Sequence, residues 1–339
     1  MQAAAVDPVT APWIRTQLRA LLAQRGHAWL LQGPSGLGQY TLALSMAQAW
    51  LCDQPTPEGA CGHCDSCHQV QVRSHTDLAM LMPETEMLER EWPLGEKAQA
   101  DIDDKKRKPS KEIRVEAMRD AIEFAQRTSG RGRGKVVMVY PAERMNAVTA
   151  NALLKTLEEP PGAVRFVLAS EAAHLLLPTI RSRCLGHGLA WPGVDEATAW
   201  LQEEGVAAAA APVLLRAAGG RPEDALRLHR AGLDARAWSQ WPKALVRGDT
   251  AAIGGWGPAD LVEALQKLCH DLMAVRSGAA PRFFEAADLP PAASVEALTG
   301  WWRSLAATSR TVEHPFNAGL MQEDLVTQAR AALHSRGYP

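Results

Sequence analysis

Two regimes of hydrophobic patterning divide the chain. Up to about Leu189, short unbroken apolar runs alternate with stretches in which apolar residues recur every three or four positions. Beyond that point only the second pattern remains. The runs Ala28 to Gln32, Lys135 to Tyr140 and Arg165 to Ser170 are rich in β-branched or aromatic residues, which predicts strands covered on both faces. Between them Met118, Ala121, Ile122 and Ala125 fall on one helical face, as do Ala150, Leu153, Leu154 and Leu157. Pro160-Pro161 ends the second of these helices, because proline lacks the N–H and restricts its predecessor. Strand and helix in alternation predict an α/β domain around a parallel sheet. Trp191-Pro192-Gly193 reads as a hinge, and the helices beyond it are broken at Gly219-Gly220 and Gly254-Gly255. Five tryptophans follow Arg230 and are read as the core of a helical C-terminal domain. The segment Glu84 to Lys111 fits neither regime. It is dense in charge, includes Lys105-Lys106-Arg107-Lys108, and reads as a surface excursion.

Bulk properties narrow the class. At about 150 residues per domain, 339 residues predict two or three domains. A net charge of −2 supplies no global field toward nucleic acid or membrane. No apolar run approaches the roughly 18 residues of a membrane span, and Ala207 to Ala211 is stopped by Pro212. The N-terminus shows no basic segment followed by an apolar signal core, so a cytoplasmic protein without membrane partners is expected.

Gly33-Pro34-Ser35-Gly36-Leu37-Gly38-Gln39-Tyr40-Thr41 has the outline of a phosphate-binding loop, which reads glycine, four residues, glycine, lysine, then serine or threonine. Gly33 and Gly38 keep the spacing, after a strand-like run and before a helix-like one. The lysine position holds Gln39, a neutral amide, and the Mg²⁺-ligating hydroxyl is replaced by Tyr40. Thr41 comes one place late, about 100° around the helix. An ATPase of this class also needs acidic residues at the end of a second strand. Here Tyr140 and Pro141 hold those positions, and Glu143 lies further along. Both halves of an ATP site are thus altered, and no ATP is expected there.

Cys52, Cys61, Cys64 and Cys67 form C-x8-C-x2-C-x2-C. Two-residue gaps turn successive thiolates inward, and four of them complete a tetrahedral Zn²⁺ site with no open position, hence structural. Gly59, Gly62 and Asp65 supply the turn chemistry, and His63 or His68 is able to replace one cysteine. Cys184 and Cys269 stand apart and are read as packed thiols.

Asn151-Ala152-Leu153-Leu154-Lys155-Thr156-Leu157-Glu158-Glu159-Pro160-Pro161, followed by Ile180-Arg181-Ser182-Arg183-Cys184, resembles the bacterial clamp-loader branch of the AAA+ family. The cysteine module placed just after the P-loop helix is similar to the zinc module of that branch. The resemblance spans roughly residues 10 to 230 and thins in the C-terminal third, where only Asn317 to Arg330 resembles the collar helices. The excursion from Glu84 to Lys111 is longer than the family pattern.

The resemblance implies α/β then all-α architecture. A RecA-like AAA+ core covers 1–189 with an inserted zinc module at 52–67, followed by a helical lid at 190–234 and a helical collar at 235–339. It implies a non-catalytic subunit that helps ATP-driven siblings place a sliding clamp on primer-template DNA, contacting the clamp only indirectly. Its partners would be the other loader subunits. It also implies that Arg183 is a trans-acting finger, since the planar, permanently charged guanidinium suits a neighbour's γ-phosphate. The family's second sensor arginine falls at Glu223, with Arg221 two residues away.

Two rivals stand beside this reading. One is an ATP-hydrolysing paralogue that tolerates Gln39; the other is a stand-alone zinc-dependent nucleic-acid-binding module. Lys105 to Lys108 and Arg131-Gly132-Arg133-Gly134-Lys135 are able to meet phosphates, but interspersed acids make the first patch read as a solvated charge run.

Overall fold

Strand β3 (Lys135–Val139) is buried at every position, as its unbroken apolar run requires, and it lies inside a five-stranded sheet. The other strands are β1 (Ala28–Gln32), β2 (Leu78–Leu81), β4 (Val164–Ser170) and β5 (Leu185–Gly188). Their order is β2-β3-β4-β1-β5 and every pairing is parallel. Phe166 of β4 sits opposite Ala28 on one side and Val137 on the other. This computed structural model describes residues 11–335 except 254, 292, 313, 315 and 316. Gly254 of the expected Gly254-Gly255 break therefore lies outside the described residues.

Among the described residues, those up to Pro192 form one compact unit and those from Gly193 form a second. Eight α-helices accompany the sheet among the described residues: α1 (Pro12–Leu22), α2 (Gln39–Leu51), α3 (Asp65–Gln71), α4 (Glu84–Glu89), α5 (Glu96–Asp103), α6 (Val115–Gln126), α7 (Ala147–Glu158) and α8 (Pro178–Arg181). The three strands read from the sequence are in place. The two unanticipated strands are short and lie at the sheet edges. β5 reads Leu-Gly-His-Gly, poor in β-formers, and becomes a strand because β1 offers it a paired edge. The α6 and α7 faces carry Met118, Ala121, Leu153 and Leu157 into a core shared with Phe166 and Leu168.

Parallel strands collect the loops after their carboxyl ends on one side of a sheet. β3, β4 and β1 are adjacent, so the turn after β1, the residues after β3 and the end of β4 are brought side by side.

The second unit is helical: α9 (Val194–Glu203), α10 (Ala211–Ala217), α11 (Pro222–Arg230), α12 (Ala235–Val246), α13 (Pro258–Arg276), α14 (Val295–Ser309) and α15 (Ala318–His334). Asp234, Ser294 and Asn317 each accept a backbone N–H three residues on, which starts α12, α14 and α15. Trp238, Trp241 and Trp301 are buried in its core, and Trp238 stacks on Phe284 at 4.8 Å between centroids. Trp256 packs at the edge of this cluster, whereas Trp302 faces solvent, so four of the five tryptophans serve the core as expected. Asp271 is fully buried and accepts the backbone N–H groups of Arg282, Phe283 and Phe284, closing the loop after α13.

Candidate functional sites: a phosphate-loop turn, a cysteine cluster and an exposed arginine

The turn between β1 and α2 has the backbone of a phosphate loop. Gly36 and Gly38 take φ of 76° and 98°, values that glycine alone adopts without strain, and Gly38 caps α2. The Trp13 indole donates to the Leu37 carbonyl at 3.0 Å and holds the turn against α1. Gln39 is only 2% exposed. Its amide nitrogen donates to the carbonyls of Gly33 and Pro34, at 2.7 and 2.5 Å. Where the motif's lysine would reach out to a phosphate, this side chain folds back and closes the loop on itself.

Tyr40 and Tyr140 come from the two places that would hold Mg²⁺, and their rings lie 5.4 Å apart. The Trp92 indole donates to the Tyr40 hydroxyl at 2.7 Å. The Arg90 guanidinium carbon sits 4.4 Å from the Tyr40 ring centre and 5.0 Å from that of Tyr140. Arg90 also donates to the Tyr140 hydroxyl at 3.3 Å, and that hydroxyl donates to Glu171 at 2.8 Å. Burial raises the pKa of both phenols above the ordinary tyrosine value, so both stay neutral. Glu143 is committed elsewhere: it accepts the Ser170 hydroxyl at 2.7 Å and the Glu171 N–H at 3.1 Å.

Arg90 and Trp92 were not foreseen, for they belong to the segment read as a surface excursion. That reading is corrected in part. Glu84 and Trp92 are buried, and the segment folds into α4 and α5. Glu84 accepts from Arg107, Arg114 and the Ser110 N–H, which pins both ends of the excursion together. The readable signal was a tryptophan standing in a polar run.

The four cysteines converge. Cys52 ends α2, Cys64 caps α3, and all four sulfurs lie within 4.8 Å of one another, with closest separations of 3.5, 3.8 and 3.9 Å. A tetrahedron with metal–sulfur bonds of about 2.3 Å has edges of roughly 3.8 Å, so the donor set fits a metal ion such as zinc. Backbone N–H groups of Gln54 and Cys61 point at the Cys52 sulfur, and that of Cys67 at Cys64, as suits thiolates. His63 and His68 are exposed and outside the donor group. Asp53 accepts from Ser66 and from Arg131, tying the module to the loop after α6. Of the lone thiols, Cys269 is fully buried and Cys184 partly so; burial pushes their pKa values up to about 12 and about 11.

Arg183 follows α8 and is partly exposed, at 31% of its side chain. Its guanidinium pairs with Glu158, the last residue of α7, and donates to the Thr179 carbonyl at 2.9 Å. A cation there also meets the negative end of the α7 dipole. In the second unit Arg221 pairs with Asp224 at 3.1 Å. Part of each basic run is engaged within the chain: Lys106 with Asp104, Arg107 with Glu84 and Asp101, Arg131 with Asp53. Lys135 is buried against Asp77 and the Phe124 ring.

A family model described as DNA polymerase III, delta subunit, matches residues 15–190, more than half of the chain. The DNA polymerase III subunit delta′ of Pseudomonas aeruginosa is 39% identical over 213 residues, which is 62% of this chain and 58% of that protein. The protein of the same name from Yersinia pestis is 32% identical over 276 residues, 78% of this chain and 72% of its own length. The chain thus spans less than two thirds of the Pseudomonas relative. Among solved structures, a DNA polymerase III gamma subunit-related protein from Thermotoga maritima aligns at a TM-score of 0.48 and 19% identity, covering 95% of this chain and 100% of that one.

Proposed function

The chain belongs to the DNA polymerase III delta-subunit family, and we propose that within it the chain acts as a delta-prime-type clamp-loader subunit that neither binds nor hydrolyses ATP. The observation that carries this reading is the closure of the phosphate loop by Gln39 on the carbonyls of Gly33 and Pro34. That closure removes the cationic end that would meet β- and γ-phosphates and leaves a neutral amide already satisfied. The subunit's part in the machine is then to hold neighbours in place through a helical lid (190–234) and collar (235–339). It would lend Arg183 to the ATP of an adjacent subunit, whose hydrolysis drives loading of the clamp onto primed DNA. Cys52, Cys61, Cys64 and Cys67 hold a structural zinc. The engagement of Arg107, Arg131 and Lys135 in internal ion pairs weakens the case for a stand-alone nucleic-acid-binding module.

Docking beside a γ-phosphate requires Arg183 to exchange Glu158 for the phosphate oxygens. The pair is partly exposed and so contributes modestly, which makes the exchange inexpensive. The test is clamp-stimulated ATP hydrolysis by the reconstituted loader, with assembly confirmed by mass. Arg183→Ala is expected to assemble normally and lower the turnover. Fingers of this kind contribute roughly 10³ to 10⁵ in well-studied GTPases, and the loss in total turnover is smaller because other sites keep their own arginines. Unchanged turnover in the assembled complex would remove the finger role. A stoichiometric, micromolar calorimetric isotherm of the isolated chain with Mg-ATP would remove the non-binding role and favour an ATP-hydrolysing paralogue.

A further inference from the structure

The segment after α4 is shaped to place two side chains into the altered nucleotide site. α4 ends in a backbone motif in which the Trp92 N–H bonds to the Met87 carbonyl and the Glu91 N–H to the Leu88 carbonyl. This turn needs a left-handed residue, normally glycine, yet Glu91 occupies it at φ 57°. A non-glycine residue there is strained and persists only where surrounding contacts hold it. The same turn with a non-glycine residue follows α3 at Arg73 and α5 at Lys105, so the strain is not particular to this place; what is particular is where its two neighbours reach. Arg90 lies against both tyrosine rings and is bonded to Glu86 at 3.2 Å, and Trp92, 6% exposed, is bonded to Tyr40.

In a working P-loop the Mg²⁺ ion lies between the hydroxyl after the lysine and the acidic end of the second strand. Here those two positions are Tyr40 and Tyr140, and a guanidinium lies against both rings. A fixed positive charge thus lies against both rings, and an indole is bonded to the outer end of one of them. Substitution at Gln39 and Tyr40 accounts for the loss of phosphate and metal ligands, but not for this filling from a segment some 50 residues away.

We propose that Arg90 and Trp92 form a built-in plug of the vacated cation position, so that this segment, and not the P-loop substitutions alone, keeps nucleotide out. The inference rests on the reading of the chain as a subunit without its own ATP site. It assigns the long charged segment a purpose: α4 and the Glu84 cluster are the mount that holds the plug.

Mg-ATP binding by calorimetry tests it on four full-length chains: wild type, Arg90→Ala/Trp92→Ala, Gln39→Lys/Tyr40→Thr, and all four changes together. Folding is checked by circular dichroism and zinc content. Wild type and the plug variant are expected not to bind, because the lysine and hydroxyl are still missing. The repaired loop alone is expected to bind weakly, and the combined variant at least tenfold more tightly. Equal affinity of the repaired loop with and without the plug would overturn the inference, as would binding by neither. Weaker binding after removal of Arg90 and Trp92 would also overturn it, since Arg90 would then be a phosphate ligand. Binding by the wild type would instead defeat the non-ATP reading, a separate outcome. Hydrogen exchange offers a second readout without nucleotide. In the plug variant, residues 33–41 are expected to exchange several-fold faster while 52–67 are unchanged; unchanged exchange at 33–41 would count against the plug.

Discussion

At the scale of single residues, chemistry follows from what each side chain can donate. Cys64 shows this most simply. It supplies both a sulfur to the cluster and the cap of α3, where it accepts the Cys67 N–H. Replacing it with serine leaves three thiolates and a weaker ligand, and thiolate ligation is what stabilises a loop too small for its own core. On the proposed zinc site, the wild type is expected to carry one equivalent and Cys64→Ser well below it, read by metal analysis under reducing, non-chelating conditions. Exchange should quicken around residues 52–67 while the second unit is unaffected. A wild-type chain purified without zinc would end the idea. Arg183 gives the second case. Arg183→Lys keeps the charge but loses the planar fork that bonds both Glu158 and Thr179. If Arg183 acts as the proposed finger, this change is expected to restore less than about a tenth of the turnover lost in Arg183→Ala; full rescue would mean that charge alone suffices there.

At the scale of elements, the excursion between β2 and α6 is held by a buried acid. Burial alone would raise the Glu84 pKa, but bonds from Arg107, the Ser110 N–H and Arg114 outweigh it, and the net shift is downward. A carboxylate with a depressed folded pKa contributes stability above its unfolded value of about 4.3, and that contribution is lost as pH falls through the lower folded value. The segment is therefore expected to loosen in acid below about pH 4. Glu84→Gln should cost about 1–3 kcal/mol near neutrality, with the difference from wild type shrinking toward pH 3. Hydrogen exchange of residues 84–114 across that range checks both the size and the sign. A difference that grew in acid would reverse the assignment. Asp77 has the same sense of shift for a similar reason: burial opposes its charge, but the Gly130 and Arg131 N–H groups, Ser129 and Lys135 outweigh it. It adds to acid sensitivity in the first unit.

At the scale of the whole molecule, two compact units carry different kinds of core. The first buries strands and helix faces around a sheet; the second packs tryptophans among helices, with no strand ladder among the described residues to share the load. Trp241, 1% exposed, meets Trp238, Trp256 and Phe284 edge-on. Trp241→Ala is expected to destabilise the second unit by about 3–5 kcal/mol. Denaturant titration followed by circular dichroism gives the loss, and zinc retained in the first unit would localise it. Among the described residues, no helix is long and apolar enough to cross a membrane.

By itself the sequence determined which chemistries the chain holds and which it lacks, because those are properties of residue types at short spacing. Four thiols within sixteen positions, a glycine loop without its lysine and apolar runs at strand length were all legible. The edge strands were not, since Leu78–Leu81 and Leu185–Gly188 owe their form to a partner strand more than to their own residues. Nor was the meeting of Arg90 and Trp92 with Tyr40 and Tyr140, or of Glu158 with Arg183. Those contacts join residues 25 to 52 positions apart, and no local propensity records which distant side chain will fill a vacancy. Tertiary structure decided that, because only the folded sheet brings the ends of β1 and β3 near enough for one guanidinium to lie against both tyrosine rings.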